Sequence, residues 1–437
     1  MDSKERRAGV LMSEDPARRI YAKVFRHIVP FLIVCYVISY LDRVNIAFAK
    51  LQMQQSRGFS ETVFGLGAGV FFMGYFLFGL PSNLLMVKAG ARNWIACILV
   101  VWGLLSASFI FITTPVSYYV LRFLLGVAEA GFYPGAILYL TYWFPAHRRA
   151  RILALFVSAI PVAGIFGNPL SGWIMSACNG AFHLQGWQWM FLVEALPALC
   201  AGATALLILD NDVASATWLD PAEKEFLAAE IAADAAVSRS QPASIAGVLR
   251  SGRVWTLCLI YFAIVMGQYG LTFWMPTLVK TTGVKGIQNI GFLSAIPFVC
   301  AVVAMNLCGR SADAHRERRW HLIVPAAAAA LGFVVAAHYP HDTAVSLVFL
   351  SLAACGVLTC TALFWSLPTA VLSGTAAAAG IALINSVGNL AGFASPSLIG
   401  WLKDATHRND YGMFALAAIL LCSCVLVARI PAKLVNR

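Results

Sequence analysis

The sequence predicts an all-α membrane protein with twelve transmembrane helices in two pseudo-symmetric six-helix bundles, and with both termini in the cytoplasm. Of its 437 residues, 60% are hydrophobic and 12% are charged, whereas soluble domains have about 45–50% apolar and about 25% charged residues. Long apolar segments recur at the ~20-residue length that crosses a bilayer. The composition also excludes a disordered chain and a secreted disulfide scaffold.

The predicted helices form two sets of six, each an apolar run with few charges. In the first set they lie at about 28–49, 62–87, 94–113, 117–144, 151–177 and 188–209. In the second set they lie at about 253–279, 289–309, 320–338, 344–369, 376–402 and 411–430. The predicted organisation is therefore a cytoplasmic tail (1–27), an N-terminal bundle (28–209), a cytoplasmic linker (210–252), a C-terminal bundle (253–430) and a second tail (431–437).

The linker contains a helix-start pattern. Asp220 is a typical N-cap, Pro221 suits the first helical position and Glu223 the third. We therefore expect a surface helix that tethers the two halves.

The distribution of basic residues predicts the orientation. Most of the 31 lysines and arginines lie in the tails and in the loops that an N-inside topology with an even number of helices places in the cytoplasm. Nucleic acid is not an expected partner of this +11 chain, because its basic residues are not interleaved with aromatics on one polar face. Lys50 is expected outside the membrane, whereas Arg43 and Arg122 remain within spans.

An internal repeat supports two related halves. The segment Asn83–Arg92 after the second helix has a counterpart, Gly309–Arg319, after the eighth. Pro169–Trp173 has a counterpart in Pro396–Trp401, at nearly the same offset of 226 to 228 positions. Chance matching of Gly and Pro is the alternative. Parallel halves around a midplane site are typical of transporters.

The first and fourth predicted spans contain four charged residues, Asp42 and Arg43 in the first and Arg122 and Glu129 in the fourth. Each costs roughly 2.5–3.5 kcal/mol at bilayer depth unless it meets a partner, a cavity or a substrate. Arg122 and Glu129 are ~10.5 Å apart along their helix, and Asp42 and Arg43 diverge by about 100°. We therefore expect a cross-helix arrangement, in which a carboxylate of one helix faces an arginine of the other.

These four charged residues are of the types that bind an anion and a proton. Arginine stays protonated and offers a planar fork to a carboxylate, whereas a buried carboxyl group can bind and release a proton. The prediction is that Asp42 and Glu129 carry coupling protons, that Arg43 and Arg122 meet the substrate carboxylate, and that all four open onto one chamber. The alternative is a pair of salt bridges that only hold the two helices together.

Other polar residues complete the candidate sites. Those within spans form a pool of substrate contacts: Tyr40, Tyr75, Gln268, Tyr269, Trp365, Asn385 and Asn389. Asp313, Arg316 and Arg318 predict a conformational latch in the cytoplasmic loop after the eighth helix. Glu194 is interpreted as interfacial or structural. His338 and His341 are too few for a metal site, and neither a metal nor another cofactor is expected.

Several long segments resemble one family. Tyr40–Ala47, Pro81–Leu85 and Arg122–Gly135 are similar to the anion:cation symporter family of the major facilitator superfamily, nearest to its tartrate and 4-hydroxyphenylacetate permeases. Tyr139–Pro145 and Gly186–Trp189 extend the resemblance. It implies the major facilitator fold, alternating access and proton-coupled import of an organic anion, in a protein of the bacterial inner membrane.

The resemblance also implies residue roles. Asp42 and Glu129 match the family's proton-handling acids, and Arg43 and Arg122 match its substrate or coupling arginines. Its cavity tyrosine, helix 10 tryptophan and helix 11 asparagine match Tyr75, Trp365 and Asn389. Val87 stands where the superfamily usually has an Asp, so the latch is expected only around Asp313.

The predicted function is proton-coupled import of a small carboxylate, such as tartrate, a sugar acid or an aromatic acid. The alternative is an exporter or uniporter of another small molecule, although Gly167-Asn168-Pro169 interrupts the Gly-Pro pattern of exporters. An enzyme is not expected, because the sequence shows neither paired catalytic carboxylates, nor a metal cluster, nor a nucleophile with its base. The expected partners are a small organic anion, protons and the lipid bilayer, and the expected state is a monomer.

Overall fold

The computed structural model describes residues 3–238, 249–371 and 375–432, and the regular structure in these ranges is helical. The helices of the first half are α1 (Ser3–Val44), α2 (Ile46–Arg57), α3 (Glu61–Ala89), α4 (Ala91–Ala107), α5 (Pro115–Glu129), α6 (Phe132–Thr141), α7 (Ala146–Ala177) and α8 (Gly186–Ile208). The linker holds α9 (Pro221–Ser238). The second half comprises α10 (Gly252–Thr281), α11 (Ile287–His315), α12 (Trp320–His338), α13 (Thr343–Phe364), α14 (Ser366–Val371), α15 (Thr375–Thr406) and α16 (Asp410–Arg429).

Within the described residues, ten segments are long and apolar enough to cross a membrane. α7 and α15 have 32 residues each and are about 48 Å long, so their length is also compatible with the predicted number of twelve. The first span is interrupted at Asn45, between α1 and α2, and the fourth at Ala130 and Gly131, between α5 and α6. Both interruptions directly follow the buried charges.

The structure extends the first predicted helix in both directions. α1 begins at Ser3 rather than near 28, and α2 continues to Arg57 rather than ending near 49. The prediction missed the extensions because they are not apolar. The N-terminal extension is instead held by the linker helix, as Lys23 Nζ lies 2.6 Å from Glu223 Oε2. The same contact keeps the pKa of the Glu223 carboxyl below its ordinary value.

The linker helix forms where the sequence predicts it. The backbone N–H of Asp220 donates to Glu223 Oε2 at 3.0 Å, which is half of a capping box. Arg149 Nη2 also lies 3.0 Å from Asp234 Oδ2, so α9 is docked on the N-terminal half.

The two halves pack through two helix pairs, α3 with α15 and α7 with α11. At Gly65 and Gly400 in the first pair, and at Gly172 and Gly291 in the second, the backbones are too close to admit a Cβ atom. Gly65 and Gly291 are 226 positions apart, and Gly172 and Gly400 are 228 apart. The packing therefore reproduces the predicted internal repeat, with two equivalent crossings between pseudo-symmetric halves.

Candidate functional site

A cavity of about 390 Å³ lies between the two halves. It is closed at the end where α3 begins and α15 ends, which we call the outer end, because the glycine contacts seal the halves there. The cavity lining includes residues from the C-terminal part of α3, such as Gly79 and Asn83, which lies away from the closed end. The basic loops near Arg92 and Arg316 lie at this opposite end, which the positive-inside rule places in the cytoplasm.

Arg43 and Glu129 form an ion pair at the cavity wall. Arg43 Nη2 donates to Glu129 Oε2 at 3.0 Å, and Ser39 Oγ donates to the same oxygen at 3.1 Å. Arg43 is 5% exposed and lines the cavity, whereas Glu129 is 0% exposed behind it. The predicted cross-helix arrangement is thus confirmed for this pair. Glu129 Oε1 and Arg43 Nε have no hydrogen-bond partner among the described residues.

Aromatic rings hold the Arg43 guanidinium in place. Its Cζ atom lies 5.0 Å from the ring centre of Tyr75, 5.1 Å from that of Phe71 and 5.9 Å from that of Tyr40. Cation–π attraction within about 6 Å stabilises such a placement. The charge of Arg43 is therefore fixed at the wall.

Asp42 points away from the cavity, into the N-terminal half. Its carboxylate accepts hydrogen bonds from Trp102 Nε1, from Ser106 Oγ at 2.5 Å and from Asn45 Nδ2 at 3.0 Å. These are three neutral donors, and no arginine bonds to Asp42 among the described residues. Adjacent helical residues diverge by about 100°, so with Arg43 on the cavity wall Asp42 faces elsewhere.

Arg122 is also sealed inside the N-terminal half. Its Nε donates to the Gly67 carbonyl at 3.2 Å, and its Cζ lies 4.9 Å from the ring centre of Phe71. Nη1 and Nη2 have no partner among the described residues. Of the four buried charges, Arg43 alone lines the cavity. The expectation that all four open onto one chamber is therefore not met in this conformation.

The predicted pool of substrate contacts does line the cavity. Gln268 Nε2 donates to Tyr40 Oη at 3.1 Å, and Thr361 Oγ1 donates to Gln268 Oε1 at 3.0 Å, so this wall joins both halves. The lining includes all seven residues of the pool: Tyr40, Tyr75, Gln268, Tyr269, Trp365, Asn385 and Asn389.

Sequence reasoning missed three tyrosines of the lining, Tyr36, Tyr133 and Tyr261. Tyr36 stacks on Tyr133 at 5.1 Å between ring centres. Tyr36 lies four positions before Tyr40, so helical spacing could have identified it. By the same helical spacing, Tyr133 lies four positions after Glu129 and Tyr261 lies seven positions before Gln268.

Glu194 on α8 is 2% exposed. Ser171 Oγ donates to its Oε1 at 2.6 Å, and Asn45 lies beside it. Of the two interpretations, interfacial or structural, the structural one fits this buried position.

An ion cluster at the outer end joins the halves. Glu61 on α3 pairs with Lys50 on α2 and with Lys403 on α15. Asp404 on α15 accepts from the backbone N–H groups of Thr62, at 2.7 Å, and Glu61, at 3.2 Å. Lys50 is buried and lies 4.4 Å from the ring centre of Trp274 on α10. Lys50 thus lies at the outer end, on the side where it is predicted, although α2 continues the helix past it to Arg57.

The predicted latch residues lie together at the end of α11. Arg318 Nη2 is 2.5 Å from Asp313 Oδ1, and Arg316 caps the helix with a φ of 50°. Their role remains a prediction.

Comparison with known proteins places these features in context. A family model described as Major Facilitator Superfamily matches residues 32–396. The chain is 43% identical over 420 residues to "Putative metabolite transport protein NicT" of Pseudomonas putida, covering 96% of each chain. It is 46% identical over 418 residues to a "Putative tartrate transporter" of Agrobacterium vitis, covering 95% of this chain and 92% of the other. It is 38% identical to a quinolone resistance transporter of Acinetobacter baumannii, covering 93% and 94%.

Two solved structures share the fold. A bacterial homologue of the human lysosomal transporter Spinster, in an inward-facing and occupied conformation, superposes with a TM-score of 0.75 at 14% identity, covering 93% of this chain and 97% of that one. A D-xylose–proton symporter superposes with a TM-score of 0.73 at 15% identity, covering 94% and 98%.

Proposed function

The chain belongs to the major facilitator superfamily, as an integral protein of the bacterial inner membrane, and from this premise we propose that it imports a small organic anion together with protons by alternating access. The relatives support transport of a small molecule. Two of them, at 46% and 45% identity, are named as putative tartrate transporters. Proton coupling and the direction of transport rest on the charges of this chain.

The Arg43–Glu129 pair carries the proposal. Arginine remains protonated, so Arg43 always offers a positive charge to the cavity. In this conformation the Arg43 guanidinium forms an ion pair with the Glu129 carboxylate. A substrate carboxylate that binds Arg43 must therefore compete with Glu129. Protonation of Glu129 removes the competitor, and an anion on Arg43 in turn favours a proton on Glu129.

This competition links the two ligands. Because linkage between binding sites is reciprocal, the proton and the anion each raise the affinity for the other. A carrier that converts between its inward-facing and outward-facing conformations most readily with both ligands bound, or with neither, transports the anion and the proton in the same direction. The proton gradient of the bacterial membrane then drives import.

Asp42 and Arg122 lie inside the N-terminal half, behind the Arg43–Glu129 pair, and do not line the cavity. Arg122 lies within electrostatic range of both Asp42 and Glu129, and its two terminal nitrogens have no partner among the described residues. We propose that Arg122 compensates changes in the charge of these two acids. Asp42, with its three donors, then serves as the second coupling carboxylate.

The outer end provides the gate. The Glu61–Lys403 ion pair and the bonds from Asp404 to α3 cross between the halves, alongside the glycine contacts. Opening toward the outside must break these contacts while the inner end closes. The predicted latch of Asp313, Arg316 and Arg318 lies at the inner end, where it can stabilise the alternative conformation.

Reconstitution tests this function. The protein is placed in liposomes, an acid-outside gradient is imposed and uptake of labelled carboxylates is measured. The wild type is expected to accumulate an anion, and Glu129→Gln is expected to exchange it without accumulation. Equal accumulation by the Glu129→Gln variant contradicts the proposal. Export against the gradient would favour the alternative suggested by the relative named for quinolone resistance.

A further inference from the structure

We propose that the preferred substrate of this cavity is a monocarboxylate bearing a planar aromatic ring, rather than a dicarboxylate. This inference rests on the proposed transport of an organic anion, and it names the class of that anion. Two properties of the lining carry it, its charge and its aromatic content.

The described part of the lining supplies one positive charge, because Arg43 is the only residue with a formal charge among the described residues that line the cavity. The other buried cations of the spans face elsewhere, as Arg122 bonds to Gly67 and Lys50 pairs with Glu61.

A single cation selects for a single carboxylate. Transfer of an ionised carboxylate from water to a site without a counter-charge is strongly unfavourable. The second carboxylate of tartrate, or of any dicarboxylate, would meet neutral amides and hydroxyls on the C-terminal wall. These groups can bind a hydroxyl or a ring nitrogen, but they do not neutralise a charge.

The lining is also rich in aromatic rings. Eight of its residues are aromatic: Tyr36, Tyr40, Tyr75, Phe76, Tyr133, Tyr261, Tyr269 and Trp365. Trp365 lies edge-on to Tyr261 at 4.8 Å between ring centres, and Tyr261 stacks on the buried Phe364 at 4.7 Å. These contacts form an aromatic wall on the C-terminal half of the lining, whereas Arg43 belongs to the N-terminal half.

This wall favours a flat ligand. Aromatic pairs gain about 0.5–1.5 kcal/mol beyond the burial of area. Asn385, Ser386 and Asn389 on α15 line the same half and offer hydrogen bonds to ring substituents. The ligand therefore places its carboxylate on Arg43 and its ring against Tyr261 and Trp365.

Binding of a ligand panel tests the inference directly. The full chain in lipid nanodiscs is titrated with benzoate, pyridine-3-carboxylate, cyclohexanecarboxylate, isophthalate and tartrate, and Kd is measured from the shift of the thermal unfolding midpoint. Benzoate or pyridine-3-carboxylate is expected to bind tightest. Cyclohexanecarboxylate, which keeps the charge but lacks the flat ring, is expected to bind about 2- to 10-fold more weakly, and isophthalate and tartrate at least tenfold more weakly. Tartrate or isophthalate binding as tightly as benzoate overturns the inference, as does equal binding of cyclohexanecarboxylate.

Two variants separate this inference from the proposed function. Trp365→Leu is expected to remove most of the preference for benzoate over cyclohexanecarboxylate, whereas Phe78→Leu, outside the lining, leaves it unchanged. An unchanged preference in Trp365→Leu counts against the aromatic wall. In Arg43→Gln, all carboxylates are expected to lose affinity. If tartrate binds tightly and depends on Arg43, only the substrate class is wrong, whereas no dependence on Arg43 for any ligand also contradicts the proposed function.

Discussion

The guanidinium of Arg43 donates to the carboxylate of Glu129 at 3.0 Å, and this bond joins the first and fourth spans at the wall of the central cavity. Arg43 is reachable from the cavity, and Glu129 is not. An anion from the cavity can therefore replace Glu129 on Arg43 without entering the interior of the N-terminal half.

The Glu129→Gln substitution tests whether a substrate carboxylate replaces the Glu129 carboxylate on Arg43. The amide oxygen of glutamine can still accept from Arg43 and Ser39, so the fold is expected to persist, but the side chain no longer titrates. We expect anion affinity to become the same at acidic and neutral pH, whereas the wild type binds more tightly at acidic pH. Titration at several pH values measures this, with Glu225→Gln on the exposed face of α9 as the matched control. A pH dependence that survives in Glu129→Gln places the proton elsewhere.

Arg43→Gln tests the anion contact. A hydrogen bond to a charged group contributes about 1.5–3 kcal/mol, so the loss in affinity is expected to be about 10- to 150-fold. Arg43→Lys keeps the charge but not the planar fork, and an intermediate loss is expected. Equilibrium binding of a labelled carboxylate measures both, with the exposed Arg310→Gln as control. A change smaller than twofold in Arg43→Gln is incompatible with direct contact.

Glu61→Gln tests the outer gate. The substitution removes the carboxylate that Lys50 and Lys403 share, so the outward-open conformation is expected to become more populated. The readout is faster reaction of an introduced Ser397→Cys with a membrane-impermeant maleimide, in a background that lacks the exposed Cys97, Cys200 and Cys422. Asp410→Asn is the matched control, because its ion pair with Arg408 lies at the same end within one half. The gate assignment fails if both variants react at the wild-type rate.

Two substitutions of Glu194 test whether its carboxyl group is buried and bonded to Ser171. Glu194→Gln can still accept from Ser171, whereas Glu194→Leu leaves this buried hydroxyl without its partner. An unsatisfied buried polar group costs about 1–3 kcal/mol, so Glu194→Leu is expected to lower the thermal unfolding midpoint well below that of Glu194→Gln. Equal midpoints would agree with an interfacial side chain instead.

The sequence predicted the features that are encoded locally. Span lengths follow from runs of apolar residues, the repeat from a near-constant offset, and a carboxylate–arginine pair across two helices from the cost of two charges in each of two spans. Which residues pair was not predicted. The breaks at Asn45 and at Gly131 were not predictable in this way. Each lies inside a single predicted span, and the average hydrophobicity of the span does not reveal it.

The remaining differences depend on tertiary packing. Adjacent positions such as Asp42 and Arg43 must face different directions, but only the packing of α4 shows which one turns inward. The cluster of Lys50, Glu61 and Lys403 joins residues from opposite ends of the chain, each near the end of a predicted span. No periodic signal links such residues. Only the folded arrangement of the two halves brings them together.

Exchange of carboxylates on Arg43 is tested most directly by the number of protons taken up when an anion binds. Benzoate is added to the purified protein in weakly buffered solution with a pH-sensitive dye, at a pH where the Arg43–Glu129 pair is intact. The expected result is uptake of about one proton per bound anion by the wild type and none by Glu129→Gln. Anion binding without proton uptake in the wild type, or equal proton uptake in both proteins, would contradict it.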